Sequence, residues 1–425
     1  MKSRMEGCKV NRKDVIWNII GTSANAFTSL FFLIIVTRLN GLVEAGIFSF
    51  AFSNACILSI VGMYMGRTYQ VSETDKDISD SDYIYNRYFT CAFMIGISII
   101  MMFLLGYSKE NAMVFLTITV YKTLEAFSDV LYGILQKREK LYLVGKSFFL
   151  KAVGSVITFL IVDIITKKLW LACLAMCIVC LGIILFYDIR NTRQIEYISS
   201  KFKMSNNIML FKKGMAICIT TLLANYIISA SKYAIEMQGY SEWQAIYGII
   251  LMPATVLSLL GQFVIHPCLL NLTKAYYKKD FNRVKKIVCK MLLVMNGIGL
   301  CAVIAAYFMG IPVLELLYGV KLEAYKIELV MIMLGAIFYG CAFILLSLLT
   351  VMRYTNIQMV IYISLSVIAF VLSFILVGKF QVRGAANAYL TIMVIEFIVY
   401  GILAIKCIKK DKEKINLQTK EKYDE

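Results

Sequence analysis

Residues 169–187 read LWLACLAMCIVCLGIILFY, nineteen positions without a charge or a proline, closed at one end by Lys167-Lys168 and at the other by Asp188-Ile189-Arg190. As a helix this run is about 28 Å long, the thickness of a bilayer's hydrocarbon core. In hydrocarbon every backbone amide has to be satisfied within its own segment, so the run is predicted to be a transmembrane helix.

The same pattern recurs on both sides of it. Spans are predicted at Val15–Thr37, Val43–Met65, Tyr88–Gly106, Ala112–Ile134, Ser147–Ile165, Leu169–Tyr187, Met215–Ile235, Ala245–Cys268, Val288–Met309, Ile327–Thr350, Ile357–Val377 and Ala385–Lys406. With 60% hydrophobic and 17% charged residues over 425 positions and a mean hydropathy of +0.74, the chain carries more apolar surface than a soluble core can hide. The expected fold is all-α, a polytopic integral membrane protein of about twelve helices in two six-helix lobes. The first span is too long for a signal-peptide core and lacks a small-x-small cleavage site, so it is expected to remain as a helix.

The division expected is a lobe at 1–187, a cytoplasmic linker at 188–214, a second lobe at 215–408 and a tail at 409–425. Six spans are an even number, so both lobes start on the same side and can be related by an axis along the membrane normal. Most of the 44 Lys and Arg fall in stretches on one side of the spans, which by the positive-inside rule is the cytoplasm and holds both termini. The net charge of +17 is thus a topology signal, and nucleic acid is not an expected partner. Membrane lipids are, because a basic stretch such as Leu272–Met291 reads as an amphipathic helix lying on the inner leaflet. The loop Gly66–Arg87, with Asp75, Asp77, Asp80 and Asp82, reads as a solvated segment.

No stretch outside the spans is long enough for a folded catalytic domain, so no catalytic residue and no cofactor are expected. The twelve cysteines lie mostly inside spans and behave there as small apolar residues. Cys177 and Cys180 form a C-x-x-C, but mid-membrane and without a histidine nearby. The one histidine, His266, makes neither a metal site nor a triad.

In lipid a polar side chain is tolerated against protein or in a watery cavity, so polar stripes show which helix faces look inward. Asn18, Thr22, Asn25 and Ser29 share one arc of the first span. The seventh span repeats the pattern with Cys218, Thr221, Asn225, Ser229, Lys232 and Glu236. Thr255, Ser258, Gln262 and His266 follow one face of the eighth, where Pro253 and Pro267 are expected to bend it. These stripes fit either a lumen or helix–helix packing. Lys122 and Lys232 are read as the cations within the spans, Lys232 as a lumen residue. Lys122, Glu125 and Asp129 on the fourth span form either a mutually neutralising surface set or an ion-coupling site. Glu396, alone on the twelfth, reads as a structural contact.

Along these residues the chain resembles the Wzx-type polysaccharide repeat-unit flippases of the multidrug/oligosaccharidyl-lipid/polysaccharide exporter superfamily. The stretches that carry the resemblance are Asn25–Arg38 with Glu44-Ala45-Gly46-Ile47-Phe48-Ser49, then Arg67-Thr68-Tyr69-Gln70-Val71-Ser72, then Leu135-Gln136-Lys137-Arg138. Further on come Tyr226-Ile227-Ile228, Lys232-Tyr233-Ala234-Ile235, Gln244-Ala245-Ile246-Tyr247-Gly248 and Met252-Pro253-Ala254. The family often has Pro just before the helix-seven Lys and Asp after it; here Ser231 and Glu236 stand there.

The resemblance implies transfer of an undecaprenyl-diphosphate-linked oligosaccharide from the inner to the outer leaflet of a bacterial cytoplasmic membrane, for O-antigen, capsule or exopolysaccharide. The lobes are expected to rock in alternating access. Lys232, Asn225, Ser229, Thr221, Asn18, Asn25, Thr22 and Gln262 would face the lipid-linked oligosaccharide, and Lys122, Glu125 and Asp129 would couple H⁺ or Na⁺. Polysaccharide polymerase and glycosyltransferases would be its partners. The alternatives are a multidrug or metabolite cation antiporter of the same superfamily, a lipid II flippase with about fourteen helices, and, from another class, a membrane-embedded polysaccharide polymerase.

Overall fold

Apolar runs punctuated by Gly, Asp and Lys become helices joined by tight turns. The computed structural model describes residues 12–64, 66–72, 78–104, 106–195 and 203–424; within helices it leaves undescribed the side chains at 15, 68, 72, 259, 260, 262–267, 269, 270, 355, 356 and 414–424. No strand occurs among the described residues.

The elements are α1 (Arg12–Asn40), α2 (Leu42–Met63), α3 (Gly66–Ser72), α4 (Asp80–Leu104), α5 (Lys109–Lys137), α6 (Leu141–Thr166) and α7 (Leu169–Ile183). A π-helical turn (Ile184–Asp188) continues α7 into α8 (Ile189–Ile195). Then follow α9 (Met204–Met237), α10 (Ser241–Tyr277), α11 (Phe281–Ala305), a second π turn (Ala306–Gly310), α12 (Ile311–Tyr318), α13 (Lys326–Val351) and α14 (Thr355–Asp424). The helix α14 is broken at Gln381 (φ 55°, ψ −131°). At that break Gly384 lies against the Leu376 carbonyl, where a Cβ would have no room.

Among the described residues nine helices are long and apolar enough to cross a membrane. The segments α5 and α10, at 29 and 37 residues, reach the same length. Each of the twelve runs read as spans falls on one of these helices or on one arm of α14. The protein is a multi-pass, all-helical membrane protein.

Contacts divide the chain into two units, Met1–Leu222 and Leu223–Glu425, with the boundary inside α9. In the first unit, α1 lies along α6, α2 and α4 pack on α5, and α7 on α6 and α5. The α1–α6 approach depends on two glycines: a Cβ on Gly21 would run into the Gly145 carbonyl, and one on Gly145 into the Trp17 carbonyl. Behind this contact Phe32 meets Phe159 at 4.9 Å, Phe48 at 6.1 Å and Tyr121 at 6.4 Å between ring centroids, all four buried. Gly145→Val is therefore expected to force the helices apart at a cost of about 1–3 kcal/mol. Gly182→Ala, where nothing stands within 4 Å, should cost far less. Thermal unfolding of the two purified variants in detergent checks this.

In the second unit, α13 is the central helix, packed on α14, α10 and α11. Small residues again set the spacing, with Gly335 against Tyr389, Gly299 against Ile337 and Gly340 against Met295.

Three connecting segments differ from the sequence reading. Leu272–Met291 is not one interfacial helix: α10 ends at Tyr277, Lys279 takes a left-handed φ of 59°, and Asp280 caps α11 by accepting from the Arg283 amide at 2.9 Å. An N-cap carboxylate ends the run that charge spacing alone makes look continuous.

The loop Gly66–Arg87 is largely helical, with α3 and the first turns of α4. Ser79 and Asp82 form a reciprocal cap there, Ser79 donating from its amide and hydroxyl to Asp82 at 2.9 and 2.8 Å. Asp82 is buried and also accepts from Asn206 at 2.9 Å, and Asp80 pairs with Lys137 at 2.6 Å. Asp75 and Asp77 lie outside the described residues. The linker read at 188–214 is helical at both ends, in α8 and from Met204 onward, and its first residue, Asp188, is fully buried.

Candidate functional site

Because α5 carries charges through a zone where water is scarce, each has to find an opposite charge or an aromatic face. Lys122 Nζ sits 2.7 Å from Glu125 Oε2, both side chains 15% exposed, and lies over the rings of Phe52 and Tyr121 at 4.6 and 5.6 Å from their centroids. Asp129, one turn on, pairs with Arg87 of α4 at 3.4 Å. Arg87 also donates to the Gly62 carbonyl at 3.0 Å. The three residues read as an ion-coupling set thus share a face but belong to two separate pairs, and Arg87, read as loop, completes the second.

A third pair went unread. Lys151, in the middle of α6, is 2.6 Å from Asp188, with side chains 2% and 0% exposed. The ammonium also donates to Ser128 Oγ at 2.5 Å and Tyr132 OH at 2.8 Å, filling its three donor positions. Tyr132 in turn shares a hydrogen bond of 2.7 Å with Ser147. The second carboxylate oxygen of Asp188, at the end of the π turn, is buried without a partner among the described residues. The signal was present as a lysine inside the span Ser147–Ile165. Its partner, 37 positions away, falls in the stretch read as linker. Asp163, buried in the last turn of α6, accepts from Asn40 Nδ2 with both carboxylate oxygens, at 3.0 and 2.9 Å.

On the α1 stripe, Asn18 and Asn25 are half-buried and Thr22 is exposed. None of the three has a hydrogen-bond partner among the described residues. Thr28, one turn along, instead bonds back to the Ala24 carbonyl at 3.0 Å.

On α9, Thr221 and Asn225 are exposed, Ser229 is half-buried and Lys232 is buried at 7%. Around Lys232 the backbone is held firmly. Ser231 Oγ donates to the Ala385 carbonyl at 3.0 Å, and Gln244 donates to the Lys232 carbonyl at 2.8 Å and to Glu236 at 3.4 Å. The two residues that depart from the family pattern, Ser231 and Glu236, thus help to fix the helix around the lysine. Thr255 and Ser258 on α10 bond back to their own helix. The side chains of Gln262 and His266 lie outside the described residues. Glu396 on α14 is buried, and Tyr339, Tyr362, Tyr389 and Tyr400 surround it within electrostatic reach.

Chemically this set can hold polyhydroxylated and charged groups by hydrogen bonds and ion pairs. No group of His, Cys, Asp and Glu that could hold a metal ion occurs among the described residues.

No family model matches the chain. Over 287 residues it is 26% identical to the capsular polysaccharide biosynthesis protein CapF of Staphylococcus aureus, a match covering 67% of this chain and 71% of that one. Its fold is similar to that of a multidrug resistance MATE family transporter of the MOP superfamily in an inward-facing conformation, with a TM-score of 0.72 and 13% identity over 93% of this chain and 99% of that one. It is also similar to that of the lipid II flippase MurJ in an inward closed conformation, with a TM-score of 0.71 and 15% identity over 93% and 90% of the two chains. At such identities the likeness is one of fold, and the proteins that share it are transporters or flippases.

Proposed function

We propose that this protein is a flippase that carries an oligosaccharide linked to undecaprenyl diphosphate from the inner to the outer leaflet of a bacterial cytoplasmic membrane, by alternating access. The observation that carries the reading is Lys232, a buried cation at the foot of a polar helix face, in a fold shared with a lipid II flippase. Such cargo has a tail that can stay in lipid, a sugar that must avoid it, and a diphosphate that needs a cation.

Lys232 meets the diphosphate, and Asn225, Ser229, Thr221, Asn18, Asn25, Thr22 and Gln262 meet sugar hydroxyls. The sequence likeness to CapF supports a polysaccharide pathway, capsule before O-antigen, with a polymerase and glycosyltransferases as partners. Both termini are cytoplasmic. Proton or Na⁺ coupling acts through the α5 face, where Glu125 pairs with Lys122 and Asp129 with Arg87.

Deletion of the gene in the source bacterium tests the reading in cells. The expected result is accumulation of polyprenyl-diphosphate-linked repeat units protected from reagents outside the cell, and loss of surface polysaccharide, both restored by the intact gene. Normal surface polysaccharide in the deletion strain sinks it.

A second reading, export of organic cations, rests on the likeness of fold to a multidrug resistance MATE family transporter. Drug sensitivity of the same deletion strain distinguishes the two.

A further inference from the structure

The turn from α10 to α11 and the far end of α14 are tied together by one carboxylate. Asp411 accepts from Tyr276 OH and from Tyr354 OH, each at 2.8 Å. Burial, and then the bond to Asp411, push both hydroxyls up, Tyr354 to about 12, so both remain protonated donors at neutral pH. This clamp ties α14 at Asp411 to the last turn of α10 and to the turn that precedes α14.

Between the two helices, with α13 as its floor, runs a cleft of about 590 Å³. Its walls are apolar along the membrane-crossing length, with Val288 and Leu292 from α11, Leu348 from α13, and Phe397 and Ile405 from α14. At the end nearest the clamp the lining changes to Asn282, Lys285, Lys409 and Lys412. On α11 the positions 285, 288 and 292 share one face, as do 397, 401, 405, 409 and 412 on α14, so the lysines continue the apolar stripes. All three are exposed. Lys409 has Glu413 at 4.0 Å, an exposed pair of little strength. Asn282, Lys285 and Lys412 have no hydrogen bond or ion pair among the described residues.

We infer that this cleft is a binding site for an acidic membrane phospholipid, one acyl chain lying between α11 and α14 and the phosphate resting on Lys285, Lys409 and Lys412. The charge pattern selects the occupant. An apolar slot in a membrane-crossing helix pair is filled by a lipid chain whatever its headgroup, but three lysines at the mouth favour an anion over a zwitterion. Bilayer phospholipid is present in large excess over any carrier lipid, so by mass action it occupies the slot. The site stands apart from the polar face of α9 and does not depend on what the protein transports.

Native mass spectrometry of the full chain in mild detergent, titrated with dioleoyl phosphatidylglycerol, cardiolipin or dioleoyl phosphatidylcholine, tests the site. The wild type is expected to retain the two acidic lipids and release phosphatidylcholine. Each lysine contributes about fivefold in affinity, so the triple substitution Lys285→Ala, Lys409→Ala, Lys412→Ala should lose on the order of a hundredfold. Lys274→Ala with Lys278→Ala, outside the cleft, should keep wild-type retention.

Gly401 lines the cleft with ordinary space at its Cβ, so Gly401→Leu should exclude the chain while leaving the lysines in place. Equal retention of phosphatidylcholine, unchanged retention in the triple variant, or a polyprenyl phosphate co-purifying in place of phospholipid overturns the inference.

Discussion

Lys151→Met should destabilise the protein by about 3–5 kcal/mol, the largest effect expected of any single substitution in the first unit. Removing the ammonium leaves the Asp188 carboxylate, 0% exposed and with one oxygen already unpartnered among the described residues, without that counter-charge. It also strips Ser128 and Tyr132 of their donor. Asp188→Leu alone should cost about as much, because it strands the lysine. The double variant Lys151→Met, Asp188→Leu should recover most of the loss, since an apolar pair of similar volume has no desolvation penalty to offset. Thermal unfolding followed by fluorescence-detected gel filtration measures all three. A double variant no better than the singles would mean that the pair is not coupled as drawn. If the recovered double variant still fails to transport, the pair works in the cycle as well as in the fold.

Lys232→Ala should sharply reduce surface polysaccharide in cells while leaving insertion and folding intact. A charge-assisted bond to a diphosphate contributes about 1.5–3 kcal/mol, so the rate of transfer should fall roughly 10- to 150-fold. Lys232→Arg should keep part of the activity, because the positive charge stays. Complementation of the deletion strain, with membrane-fraction immunoblots to confirm insertion, gives the measurement. Wild-type polysaccharide from a well-inserted Lys232→Ala protein would remove the lysine from the site.

Most spans are legible because they are long apolar runs between charges, as at 169–187, and a bilayer permits few other structures for such a run. The connections were harder to read. Charges spaced three and four apart from Lys274 to Lys286 mimic an amphipathic helix, and the signal that breaks it is one N-cap aspartate, Asp280, after a lysine in the left-handed region. The acidic loop hid a capping pair at Ser79 and Asp82 for the same reason: a carboxylate that caps a helix and one that is solvated look alike in sequence.

The polar stripes were legible from periodicity, but ion-pair partners were not. Asp129 follows Lys122 and Glu125 along one face, yet its counter-charge comes from Arg87, on another helix. Pairing of this kind depends on which helices touch, and here Gly62 of α2, packed against Met94 of α4 and Ala126 of α5, is part of what sets it, a contact to which hydropathy is blind.

The central claim is translocation of a lipid-linked oligosaccharide, and the most direct measurement is its flipping by the purified protein in proteoliposomes. Fluorescent undecaprenyl-diphosphate oligosaccharide is placed in both leaflets, and the fraction open to an impermeant quencher is followed in time. Wild-type protein is expected to expose the protected pool, and Lys232→Ala to do so roughly 10- to 150-fold more slowly. No exposure by wild-type protein, in vesicles where it exchanges organic cations for protons, would contradict it.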